Sequence, residues 1–494
     1  MGWIKLDLDR TLGTVDRGIF GGFIEHLGRC IYGGVFDEGS PLSDEQGFRR
    51  DVLEAARRLQ IPLLRWPGGN FVSAYHWWDG IGPREQRPRR PDPAWDSVES
   101  NRFGTDEYIA YCRELGTEPY ICLNMGTGTL DEACAWVEYC NGTRDTYWAN
   151  RRRENGHEQP YGVRYWGLGN EMYGEWQVGS LSADEYVAKA RQWALALRRI
   201  DPDIKLVACG LNGWSDWDRT VIDGLVKYVD FYSIHIYTGT SDYWSNVLSP
   251  HQAERALRTC KALLDRARYL QEVDHTVDVA YDEWNVWYRH FDDGLEERYD
   301  LSDALAVATY GNAFIRHCQT VKIANLAQMV NAIAPIFTSP DGLFLQTIYH
   351  PLRLAAEHSQ EIALDAHVEC DTVEYADPEQ PERREYRIAD LGPFALLDVA
   401  ATRDRSGQRV VLSVVNRSAE TAVKAMVSLG DVQPVGGVVS RSVQGDSPRT
   451  ENSFDEPAAV DVVETRFGVS AATFEYEFAP YSYTQLDIEI GAGR

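Results

Sequence analysis

Between about residues 18 and 330, eight short apolar runs alternate with longer segments of helical period, and this alternation constrains the fold more than any other feature of the chain. The runs are Gly18–Phe23, Leu63–Trp66, Pro119–Asn124, Val163–Gly169, Leu206–Leu211, Val229–Ile236, Val277–Asp282 and Val321–Met329. Eight such runs in βα units predict a closed (β/α)8 barrel, an α/β fold. The segments between them read as helices. Ser182-Ala-Asp-Glu185 is a capping box that feeds the apolar stripe Tyr186, Ala190, Trp193 and Leu197. Similar stripes lie in Asp51–Leu59 and Leu301–Cys318. An open doubly wound sheet shares the alternation, but no glycine-rich dinucleotide fingerprint follows the first run.

After about Ser359 the period changes to two, as in Val410, Leu412 and Val414, then Phe474, Tyr476 and Phe478, then Leu486, Ile488 and Ile490. That pattern predicts a β-sandwich of jelly-roll type. Ile4, Leu6 and Leu8 alternate with Lys5, Asp7 and Asp9 in a strand that needs a sheet partner, and the sandwich is the expected one. Gln433–Asn452 is rich in Gly, Ser and Pro and reads as an exposed loop. A chain of 494 residues exceeds one ordinary core. The expected division is a catalytic barrel over residues 15–359 and a sandwich made of residues 1–14 plus 360–494.

A formal charge of −26 argues against nucleic acid and anionic membranes as partners, because phosphates would be repelled over most of the surface. A neutral substrate fits better. Nothing in the sequence resembles an apolar membrane span, and Met1–Arg10 alternates apolar and charged positions, so a cytoplasmic protein is expected. Nine cysteines with no close CxxC pair predict buried thiols in place of a disulfide framework or a zinc ribbon. The 15 Trp and 26 Tyr read either as ordinary core or as a set that includes sugar-stacking platforms, and composition alone favours core.

Barrel active sites lie at the carboxyl ends of the strands, so the polar residues that follow each apolar run are the candidates. The fourth run ends in Asn170-Glu171 and the seventh in Asp282-Glu283. One strand-end glutamate is more often a cap or a structural ion pair. Two of them, on strands that face each other across a barrel, can flank a glycosidic bond. Glu25-His26 follows the first run, Arg65-Trp-Pro-Gly-Gly-Asn70 the second and His235-Ile-Tyr237 the sixth. Arg65 is suited to hold a carboxylate in its ionised form, or equally to make a barrel-core ion pair. Gly68 and Gly69 would let the backbone turn and bring Asn70 inward. No clustered His or Asp motif suggests a metal, and no cofactor is implied.

Phe23-Ile-Glu-His-Leu-Gly28, Arg65-Trp-Pro-Gly-Gly-Asn70, Gly169-Asn-Glu-Met172, Ser233-Ile-His-Ile-Tyr237 and Asp282-Glu-Trp-Asn-Val-Trp287 resemble, in order and spacing, the α-L-arabinofuranosidases of glycoside hydrolase family 51. Ile323-Ala-Asn-Leu-Ala-Gln328, Gln346-Thr-Ile-Tyr349 and Ala479-Pro-Tyr-Ser482 extend the resemblance along most of the chain. It implies a retaining double displacement, with Glu171 as acid/base and Glu283 as nucleophile. It further implies that Glu25, Asn70, Asn170 and Gln346 hydrogen-bond the furanose, that Arg65, His235 and Tyr237 arrange the carboxylates, and that Trp95 and Trp287 form apolar walls. Arabinofuranosyl oligosaccharides as substrate and a homohexamer are implied as well. Gly167, Tyr173 and Glu175 depart from the family's usual residues, the latter two close to the acid/base on its leaving-group side.

Chemistry adds one requirement. Glu283 must be an anion and Glu171 protonated, and an ionised Glu283 nearby is expected to disfavour a second anion at Glu171. Alternative readings are a related barrel enzyme acting on galactofuranosides, xylosides or β-glucans, a non-catalytic carbohydrate-binding protein, and a metal-dependent barrel enzyme sensitive to chelators.

Overall fold

The structure, a computed structural model, describes residues 2–288, 295–376 and 387–491. Eight strands close into a barrel: β1 Gly21–Phe23, β2 Leu63–Trp66, β3 Glu118–Cys122, β4 Tyr165–Leu168, β5 Lys205–Ala208, β6 Phe231–Thr238, β7 Asp278–Val286 and β8 Val321–Ala327. Every ladder is parallel, and β8 returns to β1 with Asn325 opposite Gly21 and Ala327 opposite Phe23. All eight apolar runs are therefore strands. In the first run Arg17–Phe20 instead winds into a 3-10 helix, with Asp16 accepting from Gly18 N.

Leu63, Tyr120, Val207, Ala280 and Ile323 form an apolar layer inside the barrel, so its interior is packed core and only the rim is free for chemistry. The helices cover the outer face. Ala183–Ile200 starts at the anticipated capping box, where Ser182 Oγ accepts from Glu185 N at 3.4 Å and Glu185 Oε2 accepts from Ser182 N at 2.9 Å. On β7 the register against β6 shifts between Ala280 and Glu283, and against β8 between Tyr281 and Trp284. Such an irregularity breaks the strict in/out alternation of a strand. It lets the consecutive residues Asp282 and Glu283 both reach the barrel mouth.

The remaining large sheet has nine strands, and the strand Gly2–Thr14 runs within it, antiparallel to Ile362–Glu369 and parallel to Val423–Ser428. Ile4 and Leu6 point into its core while Lys5 and Asp7 face outward. At the two ends of the sheet, Phe467 on Asp461–Gly468 meets Phe474 and Tyr476 on Thr473–Phe478, at 6.2 and 5.6 Å between ring centroids. The sheet thus folds over on itself into a sandwich.

One element differs from the sequence reading. Pro434–Gln444, expected as loop, is an 11-residue strand paired on both sides, with Asp461–Gly468 and with Ser482–Ile490. Val438, Ser440, Ser442 and Val443 are buried in it, so serine occupies core positions and hides the alternation. The register against Ser482–Ile490 shifts between Pro434 and Val438, where Gly436 and Gly437 lie.

Barrel and sandwich meet along the helix Leu301–Arg316. Leu301, Ala304, Leu305 and Ala308 pack against Ile388, Phe394, Val415 and Tyr483. Beside them is a buried charge network: Asp398 lies 3.1 Å from Arg316 and 3.0 Å from Arg417, and Arg316 reaches Glu254 at 2.6 Å. All nine cysteines are free thiols, seven of them buried. Among the described residues no helix is long and apolar enough to cross a membrane.

Candidate active site

Glu171 follows β4 and occupies a left-handed backbone conformation, φ +42°, directly after Asn170 and the positive-φ Gly169. A glutamate in this region is strained, and strain of this kind gathers at functional sites. Its side chain is 14% exposed at the barrel mouth, and that of Glu283 is 6% exposed deeper in it. Arg65, from β2, is fully enclosed and joins both strand ends: Nη1 donates to Glu283 Oε1 at 2.6 Å and Nη2 to Asn170 Oδ1 at 2.7 Å. Its guanidinium lies over the Phe23 ring at 4.5 Å. Tyr237 donates its hydroxyl proton to Glu283 Oε2 at 2.8 Å. Two strong donors on separate oxygens fix the Glu283 carboxylate in one orientation.

His235, on β6, stands between carboxylates. Nδ1 is 3.0 Å from Glu171 Oε1 and 3.7 Å from Glu283 Oε2, and Nε2 is 3.3 Å from Asp282 Oδ1. Burial alone would strip its proton. Attraction to Glu283 and hydrogen bonds to Asp282 and Glu171 outweigh burial and push its pKa up to about 10. The imidazolium has a further effect. Burial raises the Glu171 pKa, yet the hydrogen bond and charge of His235, with donors from Trp176 and Tyr173, bring it below the ordinary glutamate value. The expectation that Glu283 pushes Glu171 upward is therefore corrected, because a cation sits between the two.

Glu25, after β1, is buried and accepts from Phe71 N at 3.0 Å, Trp95 Nε1 at 3.1 Å and Gln328 Nε2 at 2.8 Å. Burial, and then repulsion from Glu283, raise its pKa to about 7. The two glycines of the β2 loop permit this crowding. A Cβ at residue 68, where φ is +153°, would lie 2.5 Å from Glu25 Cγ, and one at residue 69 would lie 3.0 Å from Glu25 Oε2 and 3.3 Å from Glu283 Oε1. Asn70 then begins a 3-10 helix and its Oδ1 is 3.5 Å from Asn170 Nδ2. Trp287 packs edge-on against Tyr237, ring centroids 5.3 Å apart.

The chain matches the family description "Alpha-L-arabinofuranosidase 1 domain" over residues 55–255 and "Alpha-L-arabinofuranosidase C-terminal domain" over residues 282–482. It is 44% identical to α-L-arabinofuranosidase C of Emericella nidulans, covering 98% of this chain and 96% of that one. An intracellular exo-α-(1→5)-L-arabinofuranosidase of Halalkalibacterium halodurans is 36% identical over 83% of this chain and 84% of its own. The Thermotoga maritima α-L-arabinofuranosidase, solved as an arabinose complex, superimposes with a TM-score of 0.91 at 42% identity, covering 99% of this chain and 100% of that one. The chain belongs to the α-L-arabinofuranosidases of glycoside hydrolase family 51.

Ten of the eleven residues singled out from the sequence of this arabinofuranosidase converge on the barrel mouth. Gln346 does not join them. Its Nε2 donates to the carbonyls of Glu297 at 2.8 Å and Ala334 at 2.9 Å, and its Oε1 accepts from Tyr299 N at 3.0 Å, so both its protons are spent on backbone. It ties together the backbone at Glu297, Tyr299 and Ala334. Three residues were missed. Trp176, 64% exposed, donates its indole proton to Glu171 Oε2 at 3.1 Å, beside the anticipated Tyr173, whose hydroxyl is 3.2 Å from Oε1. Glu175 is exposed. Gln328 holds Glu25, and Asp282 holds His235 while accepting from Tyr120 Oη at 2.7 Å. Gly167 makes room for that tyrosine, since a Cβ there would lie 3.2 Å from the Tyr120 oxygen. Glu171, His235 and Glu283 also bring one donor atom each within 4.8 Å of one another, a spacing a cation can bridge.

Proposed function

We propose that this family 51 arabinofuranosidase is exo-acting and retaining, removing terminal α-L-arabinofuranosyl residues from arabinoxylan- or arabinan-type oligosaccharides, with Glu283 as nucleophile and Glu171 as acid/base. The observation that carries this reading is the spacing of the two carboxylates. An oxygen of Glu171 and one of Glu283 lie within 4.8 Å. Retaining pairs stand roughly 5 to 5.5 Å apart, whereas inverting pairs need roughly 6.5 to 9.5 Å to admit a water between sugar and base. Glu283, held by Arg65 and Tyr237, attacks the anomeric carbon as the leaving oxygen takes a proton from Glu171, and water then reverses the sequence with Glu171 as base. Glu25, Asn70, Asn170 and Gln346 supply hydrogen bonds to the furanose, Trp95 and Trp287 its walls, and no metal or cofactor takes part. The relative named an intracellular exo-enzyme favours a cytoplasmic, exo-acting protein.

We further place the division of the chain at residues 15–359 for the catalytic barrel and 1–14 plus 360–494 for the sandwich, a reading supported by the pairing of Gly2–Thr14 with Ile362–Glu369. The assembly is a homohexamer, which light scattering of the purified protein tests directly. For the mechanism, proton NMR of the hydrolysis of an aryl α-L-arabinofuranoside should show the α-anomer of arabinose forming first. Initial β-anomer sinks the retaining reading. Glu283→Ala should abolish turnover, with azide restoring it as the inverted glycosyl azide.

A further inference from the structure

His235 and Asp282 form the most highly charged part of the barrel mouth to which no chemical step has been given. Asp282 is enclosed by donors: Oδ1 takes the Ser233 hydroxyl and His235 Nε2, and Oδ2 takes Tyr120 Oη at 2.7 Å with Arg65 Nε at 3.7 Å. Burial would raise its pKa, but His235 and Arg65 lower it to about 2, so it is a permanent anion at working pH. A permanent anion on Nε2 fixes the tautomer and secures the proton there. Nδ1 then faces Glu171 Oε1 across 3.0 Å.

We propose that Asp282 is a positioning residue that keeps His235 doubly protonated, and that His235 stores the proton which Glu171 hands to the leaving oxygen; the proposal rests on Glu171 being the acid/base. In the resting site both Glu171 and Glu283 are anions with His235 as the cation between them. During glycosylation the Nδ1 proton passes to Glu171 Oε1 and a proton leaves Glu171 for the departing oxygen. The bond from that oxygen to the anomeric carbon breaks as the bond from Glu283 forms. His235 loses its positive charge in the same step in which Glu283 loses its negative one, so the enclosed site changes its net charge by nothing. In the second half, water attacks the anomeric carbon, the ester bond to Glu283 breaks, and the proton from water returns through Glu171 to Nδ1.

The groups that surround His235 suit this exchange. Glu171 and Tyr173 face it from the end of β4, Asp282 and Glu283 from β7, and Tyr237 lies two residues on along β6. Arg65 of β2 and Tyr120 of β3 act on it through the β7 carboxylates, and Cys209 at the end of β5 lies beside Glu171. Glu25 of β1 repels Glu283. Anions therefore predominate around the imidazole, and Arg65 is paired with two of them.

The test is a histidine titration joined to a pH profile. In enzyme labelled with 15N-histidine, the signal absent from His235→Gln should remain that of an imidazolium at about pH 8. In Asp282→Asn its midpoint should fall by at least one pH unit. The alkaline limb of kcat/KM for an unactivated arabinofuranosyl oligosaccharide should fall with it, and the loss on an activated aryl substrate should be much smaller. A neutral imidazole at pH 7 in the wild type overturns the proposal, and this measurement decides even where Asp282→Asn fails to fold. A limb that stays in place while the titration moves overturns it too. Glu171→Ala separates the two readings: equal loss on poor and activated leaving groups removes the acid/base assignment itself, whereas unequal loss with an unmoved Asp282→Asn limb removes only the relay.

Discussion

Glu25 accepts three hydrogen bonds, yet burial and then Glu283 lift its pKa from 4.5 to about 7. A carboxyl whose pKa is raised on folding favours the folded state most where it is protonated. That contribution is fully present below about pH 4.5 and is lost as pH rises through about 7. Glu25→Gln should therefore stabilise the protein at about pH 8, by about 1–3 kcal/mol, and have little effect at about pH 4.5 while abolishing much of the activity. Equal shifts in Tm at the two pH values would refute this account of the site. Glu171 and Glu283 were legible in the sequence because a strand end is a local feature and the strand count fixes which ends face each other. Asp282, Gln328 and Trp176 were not. Gln328 meets Glu25 from 303 positions away, and Asp282 meets Tyr120 from 162, so their roles exist only once the barrel has closed.

At the scale of single elements, the barrel strands were readable as apolar runs of the right length, and Leu63–Trp66 was placed to the residue. The bulge in β7 was invisible, since nothing in Ala280 to Glu283 distinguishes a shifted ladder from a regular one. Pro434–Gln444 was misread because serine at buried positions and paired glycines imitate loop composition. The β2 loop offers the clearest test at this scale. At Gly69 an alanine methyl group would press on both Glu25 and Glu283. Gly69→Ala should lower kcat/KM by at least about tenfold in the folded enzyme, since small misplacements of reacting groups are costly. A loss of folding with normal activity in the surviving fraction would contradict it.

For the whole molecule, the buried network of Asp398, Arg316, Arg417 and Glu254 binds barrel to sandwich. Asp398→Ala leaves the buried Arg417 guanidinium without its carboxylate and the half-buried Arg316 with Glu254 alone, and should destabilise the protein by about 3–5 kcal/mol, read from the midpoint of denaturant unfolding. A loss under about 1 kcal/mol would show that water or rearrangement replaces the carboxylate. The strand Gly2–Thr14 has a consequence of a different kind, one of timing. Lys5 pairs with Glu369, which is 364 positions later, and the parallel neighbour of this strand begins later still, at Val423. At roughly 5–20 residues per second, the ribosome takes about 20 to 70 seconds to make that stretch. Throughout this interval the first strand is synthesised but has no sheet to enter, while the barrel strands emerge and can close. The alternating Lys5, Asp7 and Asp9 then serve the nascent chain as much as the finished one, because charges on every second residue keep a waiting strand from pairing with its own kind.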